Sequence, residues 1–430
     1  MESRHFIMRI DSLAYGGRGV GRRRDGKVVF VPMVIPGEMV SAVIKREHKG
    51  YVEAEAEEIL DASPVRITAP CPHFSLCGGC DWQHIVYPEQ VRFKQVILQE
   101  QIRAKCLIQD PCFEEPVISP NEYGYRCHAV VQCTYKDEFV SGFFRKLSNS
   151  IVSFKECIIL NKHCQFVLDQ VREVLKSHFL PEIDSLEIHA PREESLARVI
   201  VKQEKNACDR GLLRSISQSA GLKGISYFPR YNPKNEHIIG RRSCSYNVTV
   251  RGREIKLASS FGGFIQANWE VNQELVAYVI ECAVPSNRLL DLYSGAGNFS
   301  IPLSFYSDEV FAVEQDGGLV KTGNVTAREN GCSNIRFIHG DAMRALRQLK
   351  NEGTMFQTIV LDPPREGARD IVPLLPKMKV NRIIYISCNP STLARDIAIL
   401  VKGGFSLKKV CLFDMFPHTF HIESVSVLDR

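Results

Sequence analysis

The chain has 430 residues, of which 44% are hydrophobic and 24% charged, a composition typical of a globular protein with two or three domains that each bury a core. It has no run of about 18 uncharged apolar residues and no N-terminal segment with the apolar centre of a signal peptide. These features exclude membrane-spanning and secreted classes and predict a cytoplasmic protein, in which cysteines stay reduced.

Residues 1–58 are predicted to form a small β-barrel with a basic loop. The segments FIMRIDSL, KVVFVPMVI and EMVSAVIKRE alternate or run apolar over strand-like lengths. The loop at residues 15–26 combines glycines, which let the backbone approach a partner, with arginines that can contact phosphates. Residues 1–50 carry ten Lys/Arg against five acidic residues, which accounts for the whole net charge of +5. This excess of positive charge at the N-terminus fits a polyanionic partner, and it fits a solubilising surface equally well.

Residues 59–270 are predicted to form a mixed α/β region. The stretch PEQVRFKQVILQEQIRAK has helical periodicity, whereas HAVVQCTY, FVSGFFRK, SLEIHA and ARVIVKQ have the apolar content of strands. The order of these strands in a sheet does not follow from the sequence.

Three cysteines lie close together at the start of this region. Cys71, Cys77 and Cys80 follow the pattern C-x5-C-x2-C, with glycines and a proline shaping the loop. Three soft ligands within ten residues of a reduced protein indicate a metal site. Structural zinc and an iron–sulfur cluster both remain open, because each takes four thiolates.

Residues 271–430 alternate short apolar strands with helical segments. The strands RLLDLY, EVFAVEQ, IRFIHGDA, TIVLDPP and RIIYISC are each followed by a turn. This order predicts a doubly wound parallel sheet, which binds ligands at the carboxyl ends of its strands.

Acidic residues lie at the ends of three of these strands in succession. Glu314 is placed to bind a ribose diol, Asp341 to bind an adenine amino group, and Asp362 precedes two prolines. The turn at residues 294–298 begins a helix but lacks the third glycine of a dinucleotide fingerprint. A single-nucleoside cofactor such as S-adenosylmethionine fits this pattern. The alternative is that these acids are solvated loop residues without a ligand.

At these residues the chain resembles the bacterial RNA uracil-5-methyltransferases. The resemblance rests on LDPPR, SCNPSTLARD and HIES, and extends upstream to FGGFIQANWEVN and DLYSGAGNFSIPL. The segment IDSLAYGGRGVGR resembles a TRAM domain, an RNA-binding barrel with an OB-like fold, and CPHFSLCGGCDWQH resembles the iron–sulfur segment of the family. The fold class implied is multidomain α/β, with a TRAM barrel, an α+β central domain with an iron–sulfur site, and a Rossmann-like methyltransferase domain.

The resemblance implies covalent catalysis on uracil. Cys388 would add to C6 of the ring, so that C5 can take a methyl group, and Glu423 would then remove the C5 proton. Asp362 would border both the uracil and the cofactor. The cofactor contacts implied by the family are Gln266, Tyr293, Asn298, Glu314, Asp341 and Asp362.

The resemblance also favours a [4Fe-4S] cluster and an RNA substrate. It places the fourth cluster ligand at Cys157, with Cys127, Cys133 and Cys164 as other candidates. Relatives that carry both a TRAM domain and the cysteines act on 23S rRNA, whereas those that act on the tRNA T-loop typically lack both, so 23S rRNA is the expected substrate. The enzyme is also expected to be a monomer. Alternatives are a tRNA enzyme, an amino-methyltransferase that uses the DPPR acid, and a non-catalytic RNA-binding protein.

Overall fold

The computed structural model describes residues 5–106, 112–135, 137–202 and 208–430. An N-terminal barrel is formed by one six-stranded sheet. Its strands are β1 His5–Arg9, β2 Ser12–Leu13, β3 Gly19–Arg22, β4 Val28–Val31, β5 Met39–Glu47 and β6 Tyr51–Asp61. They pair in the order β1-β5-β6-β4-β3-β2, and alternate residues such as Val29, Val31, Val40 and Ala42 fill the core.

The central region contains a seven-stranded sheet covered by two helices. Helix α1 Tyr87–Cys106 and strand β7 Cys112–Phe113 precede it, and its elements are β8 His128–Tyr135, β9 Phe139–Phe144, β10 Ile151–Ser153, α2 Lys162–Ser177, β11 Ile183–His189, β12 Leu196–Val201, α3 Arg210–Ser219, β13 Gly224–Pro229, a 3-10 helix Pro233–Asn235, and β14 His237–Gly240. The strand order is β10-β9-β8-β11-β12-β13-β14, and only β12 and β13 are parallel. The structure confirms the predicted helix and all four predicted strands; Gln203, the last residue of ARVIVKQ, lies outside the described residues.

The C-terminal region is a doubly wound sheet preceded by a hairpin. Its elements are β15 Ser243–Val250, β16 Arg253–Ser260, α4 Trp269–Ala283, β17 Ser286–Leu292, α5 Ser300–Ser304, β18 Ser307–Glu314, α6 Gly317–Glu329, β19 Ile335–His339, α7 Ala342–Asn351, β20 Thr358–Leu361, a 3-10 helix Val372–Lys377, β21 Arg382–Ser387, α8 Pro390–Lys402, β22 Ser406–Phe413 and β23 Glu423–Asp429. The strand order is β19-β18-β17-β20-β21-β23-β22-β7. The five predicted strands are parallel, as expected, and β23 lies antiparallel between β21 and β22.

Helix α1 and strand β7 pack against this C-terminal sheet although they precede the central one. Ile97, Leu98 and Ile102 of α1 share a core with Leu393 and Ile397 of α8, and β7 pairs with β22. These elements therefore pack across the domain boundary predicted at residue 270. No helix among the described residues is long and apolar enough to cross a membrane.

One ion pair lies in the contact between α1 and the segment after β22. Lys94 Nζ is 2.6 Å from Asp414 Oδ1 and donates to the Phe416 carbonyl at 2.8 Å. Both side chains are fully buried, and burial lowers the pKa of Lys94. Gln90, one turn earlier, accepts from the His418 backbone at 2.8 Å. Helix α1 therefore fixes residues 414–421, the segment that leads into β23.

Candidate active site

Cys388 lies at the carboxyl end of β21, in a turn held by side-chain hydrogen bonds. Asn389 caps α8 by accepting from the backbone of Ser391 at 3.0 Å, and Pro390 occupies the first helical position. The Asn389 amide also donates to the Arg365 carbonyl at 3.1 Å. These contacts explain why asparagine and proline follow the cysteine, since they fix the turn and the start of the helix together.

The sheet register brings Glu423 next to this cysteine. Ser387, the last residue of β21, pairs with Ser424 of β23, so Cys388 and Glu423 occupy the next opposed positions. Asp362 directly follows β20, the parallel neighbour of β21. The structure thus gathers all three predicted catalytic residues at one point on the sheet edge.

Burial and mutual repulsion dominate the electrostatics of this group. Burial raises the pKa of Cys388 to about 12, the charges of Glu423 and Asp362 add to this, and the Arg365 guanidinium opposes it. Burial also raises the pKa of Asp362 to about 7 and that of Glu423, which is 4% exposed, well above its usual range. A carboxyl group with a pKa of about 7, such as Asp362, can exchange protons at neutral pH.

The turn after β17 has room for a ligand against its backbone. Tyr293, Gly295 and Gly297 have φ values of 66°, 57° and 98°, and a Cβ added at Gly297 would lie 2.8 Å from Ile301. A Cβ at Gly295 would meet no atom within 4 Å. The turn is therefore closely packed on one side and open at Gly295.

Two predicted cofactor contacts lie beside this turn. Glu314 accepts hydrogen bonds from the backbone of Gly295 at 2.9 Å and of Asp316 at 2.8 Å. Asp341 caps α7 through the Arg344 backbone at 3.0 Å. Burial, followed by the charge of Asp341, raises the pKa of Tyr293 to about 12, which places Asp341 near that ring. Both carboxylates keep lone pairs for a ligand.

Several buried polar atoms of this region have no partner among the described residues. Gln266 is 5% exposed, and its Oε1 has no hydrogen-bond partner. The Ser294 hydroxyl and Asp291 Oδ1 are likewise buried without a partner. Asn298 instead exchanges two hydrogen bonds of 3.0 Å with Asn272. Buried polar atoms without partners are costly, so a polar ligand here would satisfy groups that the protein leaves open.

Asp291 is a residue that the sequence analysis missed. It lies within β17, is fully buried, and bonds to the Ser300 hydroxyl. Burial raises its pKa to about 7. The sequence signal for Asp291 is an acidic residue inside the apolar strand RLLDLY. Aspartate is rarely buried in such a strand unless its carboxylate has a partner.

The cysteine loop at residues 71–80 packs against the end of β9. Gly78 donates to the Phe144 carbonyl at 2.9 Å, and Lys146 donates to the Leu76 carbonyl at 3.0 Å. Burial raises the pKa of Cys80 to about 12, with added effects from Cys157, Cys77 and Cys71. The four thiols are therefore neighbours. Cys127, Cys133 and Cys164 are buried within apolar cores, and Cys157 packs against the core that contains Cys133 and Cys164.

The spacing of these thiols differs from that of a single-metal site. Among the described residues, the one group of three ligand atoms within 4.8 Å of one another is His128, Glu187 and His189. In that group Glu187 Oε1 lies 3.0 Å from His189 Nε2, and Arg198 lies 3.7 Å from the other oxygen. The guanidinium already offsets the carboxylate, so this is a hydrogen-bonded set that needs no cation.

Ion pairs within the barrel engage part of its basic loop. Arg18 pairs with Glu53 at 3.0 Å, and Arg23 pairs with Asp25 and Glu47 at 2.5 and 3.0 Å. Arg24 is exposed. The charge available to a partner is therefore smaller than the composition suggests.

Comparisons with known proteins agree with this architecture. Residues 232–430 match the tRNA (Uracil-5-)-methyltransferase family and residues 8–56 match the TRAM domain. The 23S rRNA (uracil(1939)-C(5))-methyltransferase RlmD of Alcanivorax borkumensis is 32% identical, with 98% of this chain and 96% of the relative covered. An uncharacterized RNA methyltransferase of Aquifex aeolicus is also 32% identical, over 100% and 99%.

A solved structure shares the fold over the whole length. The Pyrococcus abyssi tRNA (uracil-54, C5)-methyltransferase, in complex with S-adenosyl-L-homocysteine, is 22% identical with a TM-score of 0.73 and covers 98% of this chain and 100% of its own. The expected fold of a TRAM barrel and a Rossmann-like methyltransferase domain is thereby confirmed. By its full-length relatives and matched domains, this chain belongs to the RNA uracil-5-methyltransferase family.

Proposed function

We propose that the protein methylates C5 of a uridine in 23S rRNA, using S-adenosylmethionine. The observation that carries this proposal is the convergence of Cys388, Glu423 and Asp362 at the end of β21, fixed by the pairing of Ser387 with Ser424. Uracil C5 is a poor nucleophile until a group adds to C6, and a thiol beside a buried base supplies that addition and its reversal.

In the proposed reaction each residue has a separate task. Asp362, with a pKa of about 7, accepts the thiol proton, and Cys388 Sγ adds to C6. S-adenosylmethionine, when bound, supplies an electrophilic methyl group for C5. Glu423 then takes the C5 proton, and Cys388 leaves as the C5–C6 double bond returns. Arg365 favours the thiolate by opposing the two carboxylates.

The cofactor is proposed to lie against the turn after β17. Glu314 would accept from the ribose hydroxyls, Asp341 from the adenine, and the unpaired Gln266 Oε1 from the methionine end. Tyr293, Asn298 and Asp362 would complete the pocket. Of these, Asn298 has the weakest support, because its amide is already bonded to Asn272.

The RNA target is proposed from sequence identity rather than from domain content. The Pyrococcus abyssi tRNA enzyme matches 98% of this chain, so full-length architecture does not separate the two substrates. The relatives at 32% identity include 23S rRNA enzymes, and the tRNA enzyme is at 22%.

Phe264, 72% exposed and two residues before Gln266, is an aromatic surface on which an unstacked base can lie.

Methyl transfer to two RNAs tests this proposal. Protein and labelled S-adenosylmethionine are incubated with unmethylated 23S rRNA and, separately, with unmodified tRNA, and the nucleosides are analysed. We expect label in 5-methyluridine from 23S rRNA alone. Label from tRNA alone would keep the chemistry and reject the target, and label in another nucleoside would reject the chemistry.

We further propose that Cys71, Cys77, Cys80 and Cys157 hold a [4Fe-4S] cluster. Sulfurs around one tetrahedral zinc at ~2.3 Å would lie about 4 Å apart. No three of these thiols lie within 4.8 Å of one another, whereas the larger cubane needs wider spacing. The cysteines therefore fit an iron–sulfur cluster better than zinc.

Iron and sulfide analysis of the anaerobically purified protein tests the ligand set. We expect about four irons and four sulfides per chain, and their loss in Cys157→Ser. Cys133→Ser is the matched control, because Cys133 is buried in the core of the central region and is not one of the four proposed ligands. Stoichiometric zinc without iron in the native protein, or full iron in Cys157→Ser, would contradict the assignment.

A further inference from the structure

A barrel residue reaches the turn that carries Cys388. Tyr15, in the loop between β2 and β3, donates its hydroxyl to the Cys388 carbonyl at 3.2 Å. Its ring meets Phe420 edge-on, with 5.9 Å between the ring centroids. The RNA-binding module and the nucleophile are therefore in direct contact, across 373 residues of sequence.

The loop that carries Tyr15 is held closely against Trp82 of the central region and Phe420 of the catalytic domain. Trp82 Nε1 donates to the Gly17 carbonyl at 3.4 Å. Gly17 has a φ of 80°, and a Cβ there would lie 3.1 Å from Phe420 and 3.2 Å from Trp82. Within the loop, Ala14 donates to the Arg18 carbonyl at 2.9 Å. This packing leaves little freedom for the loop, so the tyrosine hydroxyl has a defined position.

The environment of Tyr15 includes the proposed catalytic groups. Burial raises its pKa, the charges of Cys388 and Glu423 add to the rise, and Arg365 opposes it. The opposite side of the same turn is fixed by Asn389, which bonds to the Arg365 carbonyl. The peptide after Cys388 is thus held from within the catalytic domain and, through Tyr15, from the barrel.

We propose that Tyr15 is a positioning residue that aligns Cys388 Sγ with uracil C6. A hydrogen bond to the Cys388 carbonyl restricts rotation of the peptide plane and, with it, the direction of the thiol. Nucleophile geometry would then depend on the docked barrel, so the TRAM domain would complete the active site as well as bind RNA. This inference rests on the role proposed for Cys388.

Tyr15→Phe tests the proposal because it removes the hydroxyl and keeps the ring against Phe420. We expect kcat to fall about three- to tenfold, the factor expected for one neutral hydrogen bond, with the KM for RNA changed by less than about twofold. Arg24→Gln, on the same basic loop, should instead raise KM and leave kcat close to the wild-type value.

Alkylation of Cys388 gives a second readout that needs no RNA. Iodoacetamide labelling is followed on the tryptic peptide 383–395, which contains Cys388 as its one cysteine, and on peptide 329–336, which contains Cys332. Because burial is the main cause of the raised Cys388 pKa, a loosened turn should label faster in Tyr15→Phe, while Cys332 labels as before. Faster alkylation together with slower methylation would show that position, and not nucleophilicity, was lost.

The possible failures can be separated. If Tyr15→Phe retains wild-type kcat and Cys388 labelling, the positioning role is rejected while methylation by the wild type still supports the function. A rise in KM alone would also reject it and make Tyr15 an RNA contact. An inactive wild type would reject the function itself, whatever the alkylation rates show.

Discussion

Cys388→Ala is expected to abolish methyl transfer while leaving the fold and cofactor binding intact. The thiol forms the proposed covalent bond to uracil, and removal of a catalytic nucleophile lowers kcat by about 10³- to 10⁶-fold in well-studied enzymes. Cys388 is half-buried at a strand end, so alanine leaves no large cavity. Methylation rates and calorimetric titration with S-adenosylmethionine measure the two effects separately.

Comparison variants make this result specific. Cys332→Ala changes another half-buried cysteine of the same domain and should keep wild-type activity. Glu423→Gln should retain Cys388 addition but not C5 deprotonation, so a covalent protein–RNA complex should accumulate on denaturing gels. An active Cys388→Ala variant would instead favour an amino-methyltransferase, which needs no thiol.

Lys94→Met is expected to lower the free energy of unfolding more than any other substitution proposed for this protein. The substitution removes one partner of a fully buried pair and leaves the Asp414 carboxylate without a counter-charge, which typically costs about 3–5 kcal/mol. Because Asp414 begins the segment that leads to Glu423, activity should fall at temperatures below the unfolding transition. Urea unfolding followed by circular dichroism measures the loss of stability.

A second substitution distinguishes a lost charge pair from poor packing. Lys94→Met combined with Asp414→Leu removes both charges and should recover much of the stability, since an apolar pair can replace a buried ion pair. Lys105→Met, on the same helix, removes an exposed contact of 3.1 Å to the Ser391 carbonyl and should cost less than about 1 kcal/mol. Equal losses for Lys94 and Lys105 would contradict the importance of the buried pair.

The alternation of strands and helices could be predicted because it depends on local apolar patterns. The parallel order of β17 to β21 and the strand-end positions of Asp362 and Cys388 both follow from it. The helix at residues 88–105 could be predicted for the same reason. Its packing against α8 could not, because helical periodicity shows that one face is buried but not which element covers it.

Contacts between residues far apart in the sequence could not be predicted. Lys94 reads as a solvent-exposed lysine of an amphipathic helix, because its partner Asp414 is 320 residues away. Tyr15 reads as part of an RNA-binding loop for the same reason. The family motifs imply that Cys388 and Glu423 act together, but the antiparallel insertion of β23 that brings them close does not follow from strand patterning.

The insertion of β23 between β21 and β22 has a consequence for folding. Until β23 is in place, β21 and β22 face each other across a gap in the sheet, although β22 can already pair with β7 on its other edge. The gap closes when β23 pairs with both strands, and the same pairing brings Glu423 next to Cys388. Completion of the sheet and placement of Glu423 beside Cys388 are therefore one event, and until it occurs the facing edges of β21 and β22 are open to wrong pairing.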